Sequence, residues 1–394
     1  MTAPAVQRGL VVVVALLAMI GPFTIDTYLP SFPDMEAEFG VSRALLSQSL
    51  GLYLAAFAAA TLLWGPLVDA LPRRRHAALL ALGGYALAST GCALSGDYAA
   101  FLAFRLLQGL TVAGGFIAGR ALIRDRHDAR GAQRAMSQVM MTFSLAPAVA
   151  PVLGGWLHDA FGWRSVFWFL AAYALALAPW VARLDESPQR PPPRSLHPRH
   201  LLADYRAALT HRRYLAVVGA SSALFAGLFL YIVGAPTVVF DLLGGGVHDF
   251  AWLFVPMVTG MALGSATVNR YGHRHPPRRL IHLGLVLTAL AWALETGAAW
   301  LAPGPFTLVP PLVLYAYGLA LTLPGMGILA MDYFPENRGL ATAFGDFLRM
   351  LTNAAVASLV VPLLGATAVQ FAFAQGAFLA LGLALWRLHA RPSC

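Results

Sequence analysis

Apolar residues fill most of this chain in long runs that short polar segments interrupt. A helix that crosses a bilayer needs about 20 mostly apolar residues. Twelve runs meet that requirement, so the pattern predicts an all-α, polytopic membrane protein with twelve transmembrane helices. The predicted spans cover residues 9–31, 43–67, 77–95, 99–122, 134–157, 164–183, 213–236, 250–270, 279–301, 308–330, 339–363 and 366–388.

The longest polar interruption lies in the middle of the chain and is rich in Pro and Arg. It divides the spans into an amino-terminal six-helix half, residues 1–184, and a carboxy-terminal six-helix half, residues 213–394, joined by a linker at 185–212. Proline runs favour extended, semi-rigid linkers. We also expect an interfacial helix near 200–211.

The two halves resemble a weak internal repeat. In the loop after the second span, Asp69 is followed by Pro72 and Arg73; after the eighth span, Asn269 is followed by Gly272 and then Arg. The two loops align at a constant offset along the chain. A repeat of six helices plus six is a layout found in membrane transporters.

Charge is scarce and unevenly placed. Charged residues make up 11% of the chain and hydrophobic residues 58%, whereas a soluble domain carries about 25% charged residues. The net charge is +9, and the arginines concentrate at the termini and in the loops after even-numbered spans. Positive charge marks cytoplasmic segments. Both termini are therefore expected in the cytoplasm, and the basic charge is a topology signal, with no nucleic-acid partner implied.

Two intramembrane charges stand out, Asp26 in the first span and Arg105 in the fourth. Asp26 precedes Asp34 of the first external loop by eight residues, and Arg105 follows Asp97 of the second external loop by eight. At 1.5 Å per residue both lie about 12 Å inside the outer face. Charges in membrane helices are rare and usually functional. The sequence leaves open whether the two residues touch, and a purely structural pair between two helices is the alternative.

Several segments carry a family resemblance. Residues 65–74 resemble the signature of the second loop of the major facilitator superfamily, residues 105–109 resemble its fourth-span signature, and residues 150–155 are similar to the fifth-span motif associated with its antiporters. Residues 26–33, Asp-Thr-Tyr-Leu-Pro-Ser-Phe-Pro, resemble the first span of the Bcr/CflA drug-resistance branch, which includes phenicol and bicyclomycin exporters. Residues 124–125 and 162–167 also fit that branch.

The resemblance implies a proton-coupled antiporter that exports a drug-like small molecule by alternating access, with a phenicol as the first candidate. It further implies a multi-pass protein of the bacterial cytoplasmic membrane, embedded in the lipid bilayer and acting as a monomer. Asp26 and Arg105 are the expected proton-coupling residues. The expected substrate-binding residues are Asp26, Tyr28, Arg105, Gln108, Met141 and Asp346.

The expected conformational gate combines the loop signature with the fifth-span motif. Charges at helix ends can hold one conformation through ion pairs and helix dipoles, and proline and glycine shape helix bends and close packing. The gating residues are Gly65, Asp69, Arg73, Arg74, Pro151, Gly154 and Gly155. Ala70, Pro72 and Ala150 depart from the family pattern.

Two further acids lie within predicted spans. Asp346 and Arg349, three residues apart on one helix face, favour an intrahelical pair, with a second coupling or substrate site as the alternative. Glu295 is expected near the outer interface in a structural role.

Catalytic and cofactor-dependent classes find no support. The His residues show no zinc-ligand spacing, and a chain without Lys cannot contain a Walker A phosphate loop. We therefore expect no enzyme, cofactor or metal. A metabolite exporter on the same fold, such as an amino-acid effluxer, is the main alternative. An importer is less favoured, and a non-transporting scaffold or receptor is a further possibility.

Overall fold

The computed structural model describes residues 3–184, 205–272, 274–301, 304–335, 337–365 and 367–390. Within these residues the protein is all-α, without a β-strand. The chain forms two compact units, unit 1 at Met1–His197 and unit 2 at Pro198–Cys394. Most of the linker that the sequence predicts lies outside the described residues. Of the interfacial helix expected near 200–211, residues 205–210 are helical and the part before them lies outside the described residues.

Eight α-helices form the described part of unit 1, and the three pairs α3–α5, α4–α5 and α4–α8 pack most extensively. A 3-10 helix, Leu29–Ser31, separates the first two. The helices are α1 Ala3–Asp26, α2 Phe32–Phe39, α3 Arg43–Ala70, α4 Arg74–Leu94, α5 Tyr98–Arg126, α6 Ala129–Phe143, α7 Ala146–Phe161 and α8 Arg164–Ala182.

Six long α-helices form the described part of unit 2, where α11–α12, α10–α12 and α9–α14 pack most extensively. Short π-helices at Thr237–Leu242 and Val356–Val360 and a 3-10 helix at Val361–Leu363 extend two of them. The helices are α9 Arg212–Val233, α10 Phe250–Tyr271, α11 Pro277–Leu301, α12 Pro305–Asp332, α13 Arg338–Ala355 and α14 Ala368–Ala390.

Twelve segments of the described chain are long and apolar enough to cross a membrane. Each corresponds to one of the twelve spans that the sequence predicts, so the predicted fold class is confirmed. Several boundaries differ. The fourth span, α5, extends to Arg126, so Arg124 and Asp125 belong to the helix although the sequence suggested that they follow it.

The first span is broken rather than continuous. Helix α1 ends at Asp26, two turn residues and the 3-10 helix follow, and α2 begins at Phe32. Pro30 and Pro33 cause the break, because proline lacks an N–H group and its ring clashes with the carbonyl four residues earlier. The prediction that Asp34 lies in an external loop is wrong, since it is in the first turn of α2.

The fifth span is also broken. Helix α6 ends at Phe143, and α7 begins at Ala146 after two intervening residues. Pro147 lies at the start of α7, where its missing N–H group has no helical partner to lose. Pro151 lies inside α7. The bend expected in this span therefore takes the form of an interruption ahead of both prolines.

Candidate proton and substrate site

Asp26 is the final residue of α1, where the helix gives way to the break in the first span. Its exposed fraction is 3%. The hydroxyls beside it satisfy helix carbonyls: Thr24 donates to Ile20 O and Thr27 donates to Phe23 O, both at 2.6 Å. Among the described residues, Asp26 Oδ1 has no hydrogen-bond partner. A buried carboxylate oxygen is thus available for a proton or a ligand.

Arg105 lies on α5 with its side chain fully buried. Its guanidinium carbon is 4.6 Å from the ring centroid of Tyr28 and 4.6 Å from that of Tyr53. Arg105 Nη1 donates to Gln108 Oε1 at 2.8 Å, while Nε and Nη2 find no hydrogen-bond partner within the described chain. The ion pairs of the described residues do not include one between Arg105 and Asp26. Asp26 and Arg105 both belong to unit 1. Arg105 contacts two tyrosine rings and Gln108 in place of an ion pair with Asp26.

Gln108 extends this site to the third span. Its Nε2 donates to Ser89 Oγ at 2.8 Å, and the Ser89 hydroxyl donates to the Tyr85 carbonyl at 2.8 Å. The Tyr85 hydroxyl is 2.5 Å from Thr24 Oγ1 on α1. We call the connected residues Thr24, Tyr28, Ser49, Tyr53, Tyr85, Ser89, Arg105 and Gln108 the polar network. It connects α1, α3, α4, α5 and the turn after α1 in an otherwise apolar interior.

Tyr53 interacts with both intramembrane charges. Both Asp26 and Arg105 are within electrostatic range of its hydroxyl. That hydroxyl is buried and, among the described residues, lacks a hydrogen-bond partner. Tyr53 was not singled out from the sequence, because an aromatic residue in an apolar span carries no signal of its partners.

Close packing of α5 on α3 brings Arg105 to Tyr53. A Cβ atom at Gly109 would overlap the Tyr53 carbonyl oxygen and lie 2.6 Å from Ala56 Cβ. Only glycine permits helix backbones to approach this closely. The glycine of the 105–109 segment is therefore a packing residue, and the Arg and Gln of the same segment project into the polar network.

Gly154 permits a similar approach at the break in the first span. A Cβ atom at Gly154 on α7 would overlap the carbonyl oxygen of Thr27, the residue after Asp26. Pro151 and Gly155 are buried on the same helix. The fifth-span motif therefore packs directly against the segment that carries Asp26.

Two predicted substrate residues, Met141 and Asp346, are not members of the polar network. Met141 on α6 is 69% exposed and is not buried with the polar network. Asp346 belongs to α13 of unit 2. Arg349 Nη2 donates to Asp346 Oδ1 at 2.5 Å, which is the intrahelical pair that the sequence favours.

The predicted gate contains a three-residue charge cluster. Arg74 Nη1 donates to Asp69 Oδ1 at 2.6 Å, and Arg74 Nε pairs with Asp125 Oδ2. Arg73 is exposed, and a Cβ at Gly65 would meet open space. Asp125 was missed as a cluster member, although its match to the family pattern was the available signal.

Glu295, expected near the outer interface in a structural role, is buried against a neighbouring helix of unit 2. It lies on α11 with its side chain fully buried, and the Tyr231 hydroxyl of α9 donates a hydrogen bond to its Oε1. Apolar neighbours along its own helix gave no indication of this contact. In the described part of the chain, no three His, Cys, Asp or Glu side chains are grouped so as to hold a metal ion.

Comparison with known proteins places these features in a family context. Residues 14–244 match the family model of the Major Facilitator Superfamily. An uncharacterized MFS-type transporter of Bacillus subtilis, YdgK, is 29% identical over 90% of this chain and 89% of its own length. A bicyclomycin resistance protein homolog of Haemophilus influenzae is 25% identical over 93% of this chain and 92% of its own. The multidrug resistance protein MdtL of Escherichia fergusonii is 29% identical over 60% of this chain and 59% of its own.

Solved structures share the fold at lower identity. A bacterial homolog of the human lysosomal transporter Spinster, in an inward-facing, occupied conformation, matches with a TM-score of 0.76 over 99% of this chain and 98% of its own, at 17% identity. A D-xylose–proton symporter matches with a TM-score of 0.74 over 96% of this chain and 97% of its own, also at 17% identity. These likenesses establish the fold alone.

Proposed function

Since the chain belongs to the major facilitator superfamily, we propose that it exports a drug-like small molecule across the bacterial inner membrane in exchange for protons, by alternating access. The family consists of transporters, and the resemblance to its Bcr/CflA branch agrees with the relatives found. The names of two relatives, bicyclomycin resistance protein homolog and multidrug resistance protein MdtL, support a drug-like substrate. A phenicol remains the first candidate on the resemblance alone.

The observation that carries proton coupling is the buried, incompletely bonded carboxyl group of Asp26. Placing a charged carboxylate in the membrane interior costs about 2.5–3.5 kcal/mol on insertion scales. Protonation removes that cost, so a conformational change that alters the hydration of Asp26 also alters its proton affinity.

Arg105 supplies a second buried charge in the same unit. A conformational change that brought this cation closer to Asp26 would favour the loss of its proton, whereas desolvation opposes that loss. Tyr53 is within electrostatic range of both Asp26 and Arg105. Gln108 fixes one nitrogen of the Arg105 guanidinium and leaves two others available to a substrate.

The proton gradient is sufficient to drive export. Each unit of pH difference supplies about 1.4 kcal/mol per proton, and the membrane potential adds about 2.3 kcal/mol per charge per 100 mV. One proton carried on Asp26 therefore sustains an outward substrate gradient of at least about tenfold per pH unit.

The test is chloramphenicol flux in proteoliposomes under an imposed pH gradient, for wild type and Asp26→Asn. We expect gradient-driven accumulation in wild type that is lost in Asp26→Asn, while counterflow without a gradient persists. Asp34→Asn is the matched control, because Asp34 belongs to the same span and its side chain is 64% exposed. Equal gradient-driven flux in wild type and Asp26→Asn would refute the assignment of Asp26.

The same assay separates the alternatives. Absence of chloramphenicol flux in wild type, with flux of an amino acid or other metabolite, would favour a metabolite exporter. Uphill flux in the opposite direction would indicate an importer. Absence of any gradient-driven flux across a broad substrate panel would favour a non-transporting scaffold or receptor.

A further inference from the structure

Unit 2 contains a buried acid that the proposed role of Asp26 leaves unexplained. Glu295 lies on α11, six residues before the helix ends at Leu301. At 1.5 Å per residue, this places it about 9 Å inside the end of the helix. Its exposed fraction is 0%. An acid this far inside an apolar helix is a functional-site candidate by default.

The surroundings of Glu295 are polar but carry no countercharge. Tyr231 of α9 donates to Oε1, while Oε2 is buried and lacks a hydrogen-bond partner among the described residues. Gln375 of α14 lies beside the carboxyl group, and Tyr315 of α12 is within electrostatic range of it. The ion pairs found in the described chain do not involve Glu295. Among the described residues, the titratable groups that face Glu295 are therefore the two tyrosines.

Asp346 provides the contrast within the same unit. It is also inside a predicted span, but Arg349 Nη2 lies 2.5 Å from its carboxylate, so its negative charge is compensated in place. Glu295 has the Tyr231 hydroxyl and the Gln375 side chain beside it, and it has no cation partner among the described residues. An uncompensated carboxylate in the membrane interior is unstable, so the unpartnered oxygen of Glu295 is suited to hold a proton.

We propose that Glu295 is a second proton-binding site, which loads and releases one proton in each transport cycle in addition to the proton on Asp26. An O–H bond forms at Oε2 with a proton from external water, and the same bond breaks to return the proton to internal water. The Tyr231 hydroxyl keeps donating to Oε1 in both states. This inference rests on the proposed function and extends it from one proton per substrate to two.

The number of protons is measurable from steady-state accumulation. Proteoliposomes clamped at zero membrane potential with potassium and valinomycin are given a series of imposed pH gradients, and the accumulation ratio of uncharged chloramphenicol is recorded. With two protons per substrate, wild type reaches about 100-fold accumulation per pH unit, and Glu295→Gln reaches about tenfold, because each proton contributes a factor of ten. An equal ratio in wild type and Glu295→Gln would overturn the proposal.

Two further variants separate proton binding from a structural role. Tyr231→Phe removes the hydrogen bond and keeps the carboxyl group, so it should retain the wild-type accumulation ratio. If Glu295 only held this hydrogen bond, Tyr231→Phe would instead lower the accumulation ratio as much as Glu295→Gln does. Glu295→Asp keeps a titratable group. If Glu295→Gln abolishes transport altogether, gradient-driven flux in Glu295→Asp supports proton binding, and loss of flux in both variants overturns it.

A spectroscopic measurement tests Glu295 even if chloramphenicol is not a substrate. The infrared spectrum of the purified full-length protein at neutral pH should contain the C=O stretch of a protonated carboxyl group, shifted in heavy water. Glu295→Gln should remove one such band, while Asp346→Asn should leave it in place. An unchanged band in Glu295→Gln would overturn the inference. If wild type transports no chloramphenicol but Glu295→Gln still loses this band, chloramphenicol is rejected as the substrate and Glu295 is retained as a proton-binding site.

Discussion

The guanidinium of Arg105 lies between the rings of Tyr28 and Tyr53, each at 4.6 Å. A desolvated cation over an aromatic ring gains about 0.5–2 kcal/mol per contact. Two such contacts and the hydrogen bond to Gln108 offset part of the desolvation penalty of Arg105 without an ion pair to Asp26. The carboxyl group of Asp26 thereby keeps one buried oxygen unpartnered. Asp26 Oδ1 is therefore free to bind a proton because Arg105 makes its contacts with other residues.

Two adjacent arginines allow a residue-scale prediction. Arg74→Gln would leave the buried Asp125 without its main cation, and we expect the free energy of unfolding to fall by about 3 kcal/mol, the range for breaking a buried ion pair. Arg73→Gln changes an exposed side chain and should change the free energy of unfolding by less than about 0.5 kcal/mol. Denaturation in mixed micelles measures both, and equal effects would contradict the pairing.

At the scale of secondary-structure elements, breaks in two helices position the candidate site. The first span ends its first helix at Asp26 and resumes at Phe32, and the fifth span is interrupted between α6 and α7. Irregular backbone inside a membrane protein is tolerated where neighbouring protein covers it. Gly154 of α7 provides that cover for Thr27, so the two broken spans meet beside Asp26.

Gly154→Ala tests this contact. The new methyl group would overlap backbone, which cannot rotate away, so we expect a loss of about 1–3 kcal/mol in stability, as for other overpacked interiors, and a reduced transport rate. Gly83→Ala is the matched control, since a Cβ at that helical position meets open space. Thermal denaturation in detergent and the flux assay compare the two. Similar behaviour of both variants would show that the close approach is unimportant.

Unit 1 and unit 2 each contain one buried acid without an ion-pair partner among the described residues, Asp26 and Glu295. At the scale of the whole molecule, this is a multi-pass protein of the bacterial inner membrane with twelve spans. Its orientation and its monomeric state remain predictions. The arginine distribution predicts that the loops after even-numbered spans face the cytoplasm.

Reporter fusions test the predicted orientation. A fluorescent protein that matures only in the cytoplasm should be active when fused to the carboxy terminus, and alkaline phosphatase, active only outside, should be active when fused at Gly304 after the ninth span. The expectation follows from the excess of arginine near Arg278 and at the carboxy terminus. The reverse pattern of activity would show that the charge bias is misleading here.

The sequence by itself determined the class of the protein, the number of spans, and the residues that carry unusual charge. Hydropathy suffices for this because the thickness of the hydrocarbon layer sets the length of every span, and because charge is so rare inside it that Asp26 and Arg105 stand out. The resemblance of short segments also indicated the family, since glycine, proline and charge at fixed spacing are local features.

Only the tertiary structure decided which groups touch. It assigned Arg105 to Tyr28 and Tyr53 rather than to Asp26, added Asp125 to the Arg74 cluster, and buried Glu295 against Tyr231. Such contacts depend on how each helix is rotated and how closely its neighbours approach, and glycines such as Gly109 and Gly154 set those approaches. A helix that is apolar around most of its circumference carries little information about its rotation, so its polar partners emerge only when the helices pack.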